Sequence, residues 1–180
     1  MRESRSKHDD VEAGEMEEGG GGGDVFELLK NDHRHVRDLF TKFEDADKRT
    51  RSSIAEETLT ALEVHTTLEE ELVYPAIAEV IDEEEPVNEA KEEHHVAKFL
   101  IKELHKMDAG DEGFATKFKV LGELVGHHIE EEEGELFPQA QEGGFDPESL
   151  FDEVSKRKGK LMQKYEGGKK SSGARRKKAA

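Results

Sequence analysis

The chain has 180 residues, 33% apolar and 39% charged, which suits one compact domain and not comfortably two. Its 44 acidic and 27 basic side chains give a formal charge of −17, and it has no Cys, which excludes disulfides, thiolate metal sites and Cys nucleophiles. No apolar run reaches the ~18–20 residues that span a bilayer, the N-terminus lacks the apolar stretch of a signal peptide, and a soluble, cytoplasmic protein is expected.

Residues 1–23 are acidic and end in five consecutive glycines, the composition of a disordered tail. Asp24 is a suitable N-cap for a first helix, whose apolar stripe is Phe26, Leu29, Val36, Phe40 and Phe43. A second helical segment runs from about Ser52 to Val80, with Ile54, Thr58, Leu62, Leu68, Leu72 and Ala76 on its stripe. Glu85-Pro86 opens a third, carrying Val87, Ala90, Ala97, Ile101 and Leu104. After the loop 108–113, a fourth carries Phe114, Phe118, Leu121, Val125 and Leu136, up to Pro138. Asp146-Pro147 starts a short fifth helix that should end near Tyr165, before Gly167-Gly168.

Residues 167–180 hold six basic side chains and no acidic one, and read as a disordered basic tail. No segment alternates with the period of a strand. The expected fold is all-α: an antiparallel up-down-up-down four-helix bundle over 24–145, a C-terminal helix at 146–166, and disordered tails. Residues 24–166 carry 18 basic and 37 acidic side chains, and so acidic a body repels nucleic acid phosphates.

Each of the four stripes is interrupted by a histidine: His33, His65, His94 and His128. Two of them are followed one turn later, on the same face, by a glutamate, Glu69 and Glu132. One imidazole on an apolar face is usually a satisfied core residue. Four of them with two carboxylates in one small bundle would cost several kcal/mol if unpartnered, and a metal satisfies both groups at once.

An internal repeat sharpens the pattern. HTTLEEELVYP (65–75) aligns without gaps on HIEEEEGELFP (128–138), and His33-x-x-x-Arg37-x-Leu39 on His94-x-x-x-Lys98-x-Leu100. The bundle is thus two copies of a helical hairpin. Each gives one His on its first helix and His-x-x-x-Glu on its second. Packed about a pseudo-two-fold axis, they supply enough ligands for two metal ions, with the glutamates able to bridge them.

These motifs, with NDHRHVRDLF and EEHHVAKFL, resemble the HHE cation-binding branch of the hemerythrin family over about residues 25–140. The resemblance implies a non-haem di-iron centre in a four-helix bundle, with His33, His65, Glu69, His94, His128 and Glu132 as ligands. Oxygen-carrying members have a second His where this chain has Lys98, and a last carboxylate where it has Glu133. An exogenous ligand, water or Tyr74 would then complete the site. The Glu-x-x-His pattern of ferritin-like sites occurs only at Glu92-x-x-His95, off the stripe.

The remaining candidates read as surface. His35, His95 and His127 lie off the stripes, and His105 is ~16 Å along the axis from His94. Glu70, Glu71, Glu130, Glu131 and Glu133 form a solvated acidic face, although Glu70 is placed to hydrogen-bond a ligating imidazole. Tyr74-Pro75 and Phe137-Pro138 end or bend their helices beside the site. Imidazole and carboxylate together suit Fe, Mn or Zn, and the resemblance favours Fe. The function expected is binding or sensing of O₂, NO or a related oxidant, or of iron supply. The alternatives are a di-iron oxidoreductase acting on peroxide or NO, and a metal-free acidic interaction module.

Overall fold

The computed structural model describes residues 23–111 and 113–176, with side chains through Tyr165. Helix α1 (Val25–Asp45) starts where Asp24 accepts hydrogen bonds from the Phe26 and Glu27 amides. The chain turns at Ala46, and Asp47 caps α2 (Lys48–Leu68) in the same way, through Arg49 and Thr50. That start precedes the expected Ser52, because the Asp47 cap outranks the serine pair as a helix signal. A π-helical segment, Glu69–Val73, then joins α2 to the short α3 (Tyr74–Ala78). Helix α4 (Glu85–Leu104) returns, and α5 (Phe114–Glu131) runs through a second π-helical segment, Glu132–Leu136, into α6 (Phe137–Glu142). Gly144, at φ 92°, stops α6. Helix α7 (Pro147–Arg176) follows. Its backbone continues past Tyr165, because Gly167-Gly168 weakens a helix by about 1 kcal/mol per glycine without blocking it as proline would. The tail residues 1–22 and 177–180 lie outside the described residues.

The two π segments have one cause. Each ends just before a proline, and in α geometry the Pro75 or Pro138 ring would press on the carbonyl four residues back. The wider turn accommodates it: the Tyr74 amide reaches the Glu69 carbonyl, and the Phe137 amide that of Glu132. The extra residue also rotates everything downstream. Leu72 and Ala76, expected on the buried stripe, are only partly buried, and Val73, Tyr74 and Ile77 take the core.

Helices α1, α2, α4 and α5 close into an antiparallel ring, with α7 lying across α1, α2 and the first π segment. The interior is divided. One apolar cluster gathers Phe26, Leu68, Tyr74, Ile77 and Phe137 with Val154 and Leu161 of α7. The other gathers Val36, Phe43, Leu59, Ile101, Phe118 and Leu121. The histidines and Glu69 and Glu132 are buried polar residues outside both clusters. No described helix is long and apolar enough to cross a membrane.

Candidate metal centre

All six side chains singled out by the stripe gaps meet in the bundle interior, none more than 6% exposed. Within the first hairpin, the His33 and His65 Nε2 atoms are 3.0 Å apart; within the second, those of His94 and His128 are 3.1 Å apart. The two carboxylates tie these pairs together. Glu69 lies 2.9 Å from His65 Nε2 through one oxygen and 3.3 Å from His94 Nε2 through the other. Glu132 Oε2 lies 3.3 Å from His33 Nε2 and 3.9 Å from His128 Nε2. Each glutamate therefore spans both imidazole pairs.

The outer ring nitrogens explain why the inner ones converge. His33 Nδ1–H donates to Glu133 (2.6 Å), His94 Nδ1–H to Glu70 (3.1 Å) and His128 Nδ1–H to Glu93 (2.8 Å). His65 Nδ1 lies 3.8 Å from Asp32, an ion-pair separation. For His33, His94 and His128, donation from Nδ1 leaves the Nε2 lone pair pointing inward, which is the tautomer a metal requires. Two lone pairs at about 3 Å repel unless a proton or a metal ion sits between them. The carboxylates make the same demand: both oxygens of Glu69 and of Glu132 are buried without a hydrogen-bond partner. Burial of such groups costs several kcal/mol each unless a cation, a protonated imidazole or a metal ion, stands beside them. Two groups of ligand atoms fit within 4.8 Å: His33, His65, Glu69 and Glu132, and Glu69, His94 and His128. Imidazole and carboxylate donors in this arrangement fit a metal cation.

The electrostatics of the metal-free chain follow from this crowding. Burial opposes the charged His65 ring, but Glu69 and then Asp32 overcome it and push His65 up to about 10. Burial also opposes ionisation of Glu69, yet His65 and His94 hold its carboxyl well below the usual range. The hydrogen bond from His94 draws Glu70 down to about 2, with Lys98 adding to it against partial burial. Burial, then Glu69 and Glu132, push the Tyr74 phenol well above its ordinary value.

The other candidates separate cleanly. His35, His95, His105 and His127 are exposed. Lys98, where oxygen carriers have a histidine, is 2.5 Å from Glu70 and is tied to the outer shell of His94. Glu133 departs from the solvated face on which the sequence placed it: the π turn brings it half-buried onto His33. Tyr74 does more than end a helix, since its hydroxyl donates to His94 Nε2 at 3.3 Å. The residues that sequence reasoning missed are Asp32 and Glu93. Their signal was available, because each is the acidic residue immediately before the first histidine of its repeat.

The family model of the hemerythrin HHE cation binding domain matches residues 24–140. The chain belongs to this family. The hemerythrin-like fold is shared with the crystal structure of an HHE cation binding domain-containing protein from Mycobacterium kansasii. That structure is 22% identical, has a TM-score of 0.65, and the match covers 81% of this chain and 89% of that one. No curated protein matches the sequence. A hemerythrin-type domain with these His and Glu groups is a metal-binding one.

Proposed function

We propose that the protein holds two non-haem irons at His33, His65, Glu69, His94, His128 and Glu132, and binds or senses O₂, NO or a related small oxidant. The carrying observation is the pair of buried carboxylates that each span both imidazole pairs. Iron supplies redox chemistry and open coordination positions. The protein supplies fixed tautomers, a dry interior and a limit on ligand size.

A cavity of about 20 Å³ borders all four histidines and is walled by Val36, Leu62, Leu124, Val125 and Ile129. A space that small holds about one water-sized molecule, and apolar walls favour an uncharged diatomic over an organic substrate. The Tyr74 hydroxyl, a buried proton donor beside His94, favours a second reading, an oxidoreductase acting on peroxide or NO. A chain without Cys suits the reducing cytoplasm.

Metal analysis of the purified full-length protein, with optical spectra under nitrogen and under air, tests the proposal. Close to two irons per chain and an oxygen-dependent spectrum are expected. A folded protein from iron-replete cells that holds no metal overturns it. Steady turnover of peroxide or NO by the iron-loaded protein selects the enzyme over the sensor.

A further inference from the structure

One side of the six-residue cluster is sealed. Helix α7 packs its Val154 and Leu161 in the cluster to which Leu28 and Leu72 belong. It also places Lys158 on Asp32 and clamps Glu71 with Arg157 at 2.7 and 2.9 Å. The internal repeat relates this seam to a place between α4 and the second π segment. Aligning His33 with His94 sets Leu28 against Glu89, and aligning His65 with His128 sets Leu68 and Leu72 against Glu131 and Glu135. Where the first hairpin presents leucines to a covering helix, the second presents glutamates.

The second place is a cleft of about 260 Å³. Glu83, Glu85, Glu89 and Glu135 are exposed around it, and the buried His128 and Glu132 line it from within. No Lys or Arg lines it, and among the described residues none of those four exposed carboxylates has a cationic partner. Glu85 lies in the first turn of α4, where the helix dipole favours a carboxylate. Glu89 and Glu135 have no such support. The inner end adds a sign of a cation separate from the exposed glutamates: Glu132, 2% exposed, lines the cleft with both oxygens buried and unpartnered.

We propose that this cleft is the loading port of the centre, an acidic vestibule that gathers a hydrated divalent cation and passes it to Glu132 and His128. Glu93 and Glu131, half-buried in its lining, bring ligand atoms within 4.8 Å of one another and of the exposed His127, a holding point partway along. A cleft lined by one sign of charge raises the local concentration and on-rate of its counter-ion by ~10–1,000-fold, an effect that fades with ionic strength. The proposal rests on the metal-binding reading of the six inner residues.

The test mixes metal-free full-length protein with Fe(II) alone, without oxygen, and follows both the rate and the final extent of uptake. The variant Glu83→Gln/Glu89→Gln/Glu135→Gln removes three charges from the mouth. Glu44→Gln/Asp45→Asn/Glu123→Gln removes as many elsewhere. At low salt the mouth variant should load about 10-fold more slowly than wild type and reach the same final metal content. Added salt should slow wild type and scarcely affect the mouth variant. Unchanged uptake overturns the port, and so does equal slowing by the control variant, which would trace the effect to net charge. A wild type that takes up no iron refutes the metal centre itself, and the port with it.

Discussion

The two hairpins, α1 with the α2–α3 rod and α4 with the α5–α6 rod, are alike where they face the cluster and differ in what surrounds it. Inside, His33 matches His94, His65 matches His128, and Glu69 matches Glu132. One step out the match persists in kind: Glu133 and Glu70 each accept from the opposite hairpin's first histidine. Beyond that the halves diverge. Tyr74 stands against Phe137, and a sealed flank against an acidic cleft. A ligand set tolerates little variation because every donor must be present at once. Covering residues carry no such constraint and can take on separate tasks.

The comparison breaks most visibly if the inner matches are unequal. His65→Ala and His128→Ala should each lower iron content sharply, and by similar amounts, in metal analysis of folded protein. A large loss in one and none in the other would reduce the site to a single metal held by one hairpin. Glu132→Gln should be as damaging as Glu69→Gln. Glu133→Gln should do less, weakening affinity ~10–100-fold without emptying the site, since Glu133 acts through His33 Nδ1 at 2.6 Å.

The inner matches were legible in the sequence because each histidine occupies a gap in an apolar stripe, and because the His-x-x-x-Glu repeat aligns without gaps. The outer shell was less legible. A π turn arises from the conflict between a proline ring and a carbonyl one turn earlier, and it rotates the downstream face, which fixed helical periodicity cannot express. It exchanged Leu72 for Val73 in the core and moved Glu133 from solvent onto His33. The sealing role of α7 was hidden for another reason. Lys158 meets Asp32 across 126 residues of sequence, a contact no local pattern announces.

The acidic residues that back the second-helix histidines are held differently. Glu93 reaches His128 Nδ1 at 2.8 Å, whereas Asp32 stands 3.8 Å from His65 and is shared with Lys158. Loss of such a partner typically weakens metal affinity 10–100-fold. Glu93→Gln should fall toward the upper end of that range and Asp32→Asn toward the lower, read by competition with a chelator. Equal losses would mean that Asp32 closes on His65 when metal binds.

Protonation separates the metal-free protein from the loaded one. Glu69 and Asp32 hold His65 up at about 10 in the fold against 6.5 for a free imidazole, so its contribution is complete below pH 6.5 and lost as pH rises through 10. Glu69 and Glu70 are shifted down from 4.5, and their contribution is present above that value and lost as pH falls through their lowered values. The metal-free chain should therefore show its highest Tm between about pH 4.5 and 6.5 and a decline toward pH 10. In the loaded protein the ligating His65 nitrogen holds no proton, so thermal scans should show a much smaller alkaline decline. Identical profiles with and without metal would mean that His65 is not a ligand.

The smallest expected effect comes from making the halves alike at Tyr74. Tyr74→Phe gives the first hairpin the residue that the second already has at Phe137, whose ring lies 6.4 Å from His33. The volume is nearly conserved, and the change removes one buried hydroxyl and its hydrogen bond to His94. That loss is worth about 1 kcal/mol, or about 2–4 °C in Tm for a chain of this length. Iron content should not change, because His94 keeps its Nδ1 bond to Glu70 and its Nε2 position beside Glu69. If the hydroxyl delivers protons to a bound oxidant, turnover of peroxide should fall while affinity for iron holds. A drop to one iron per chain would assign Tyr74 to the inner set, and the two metal positions would then be chemically distinct.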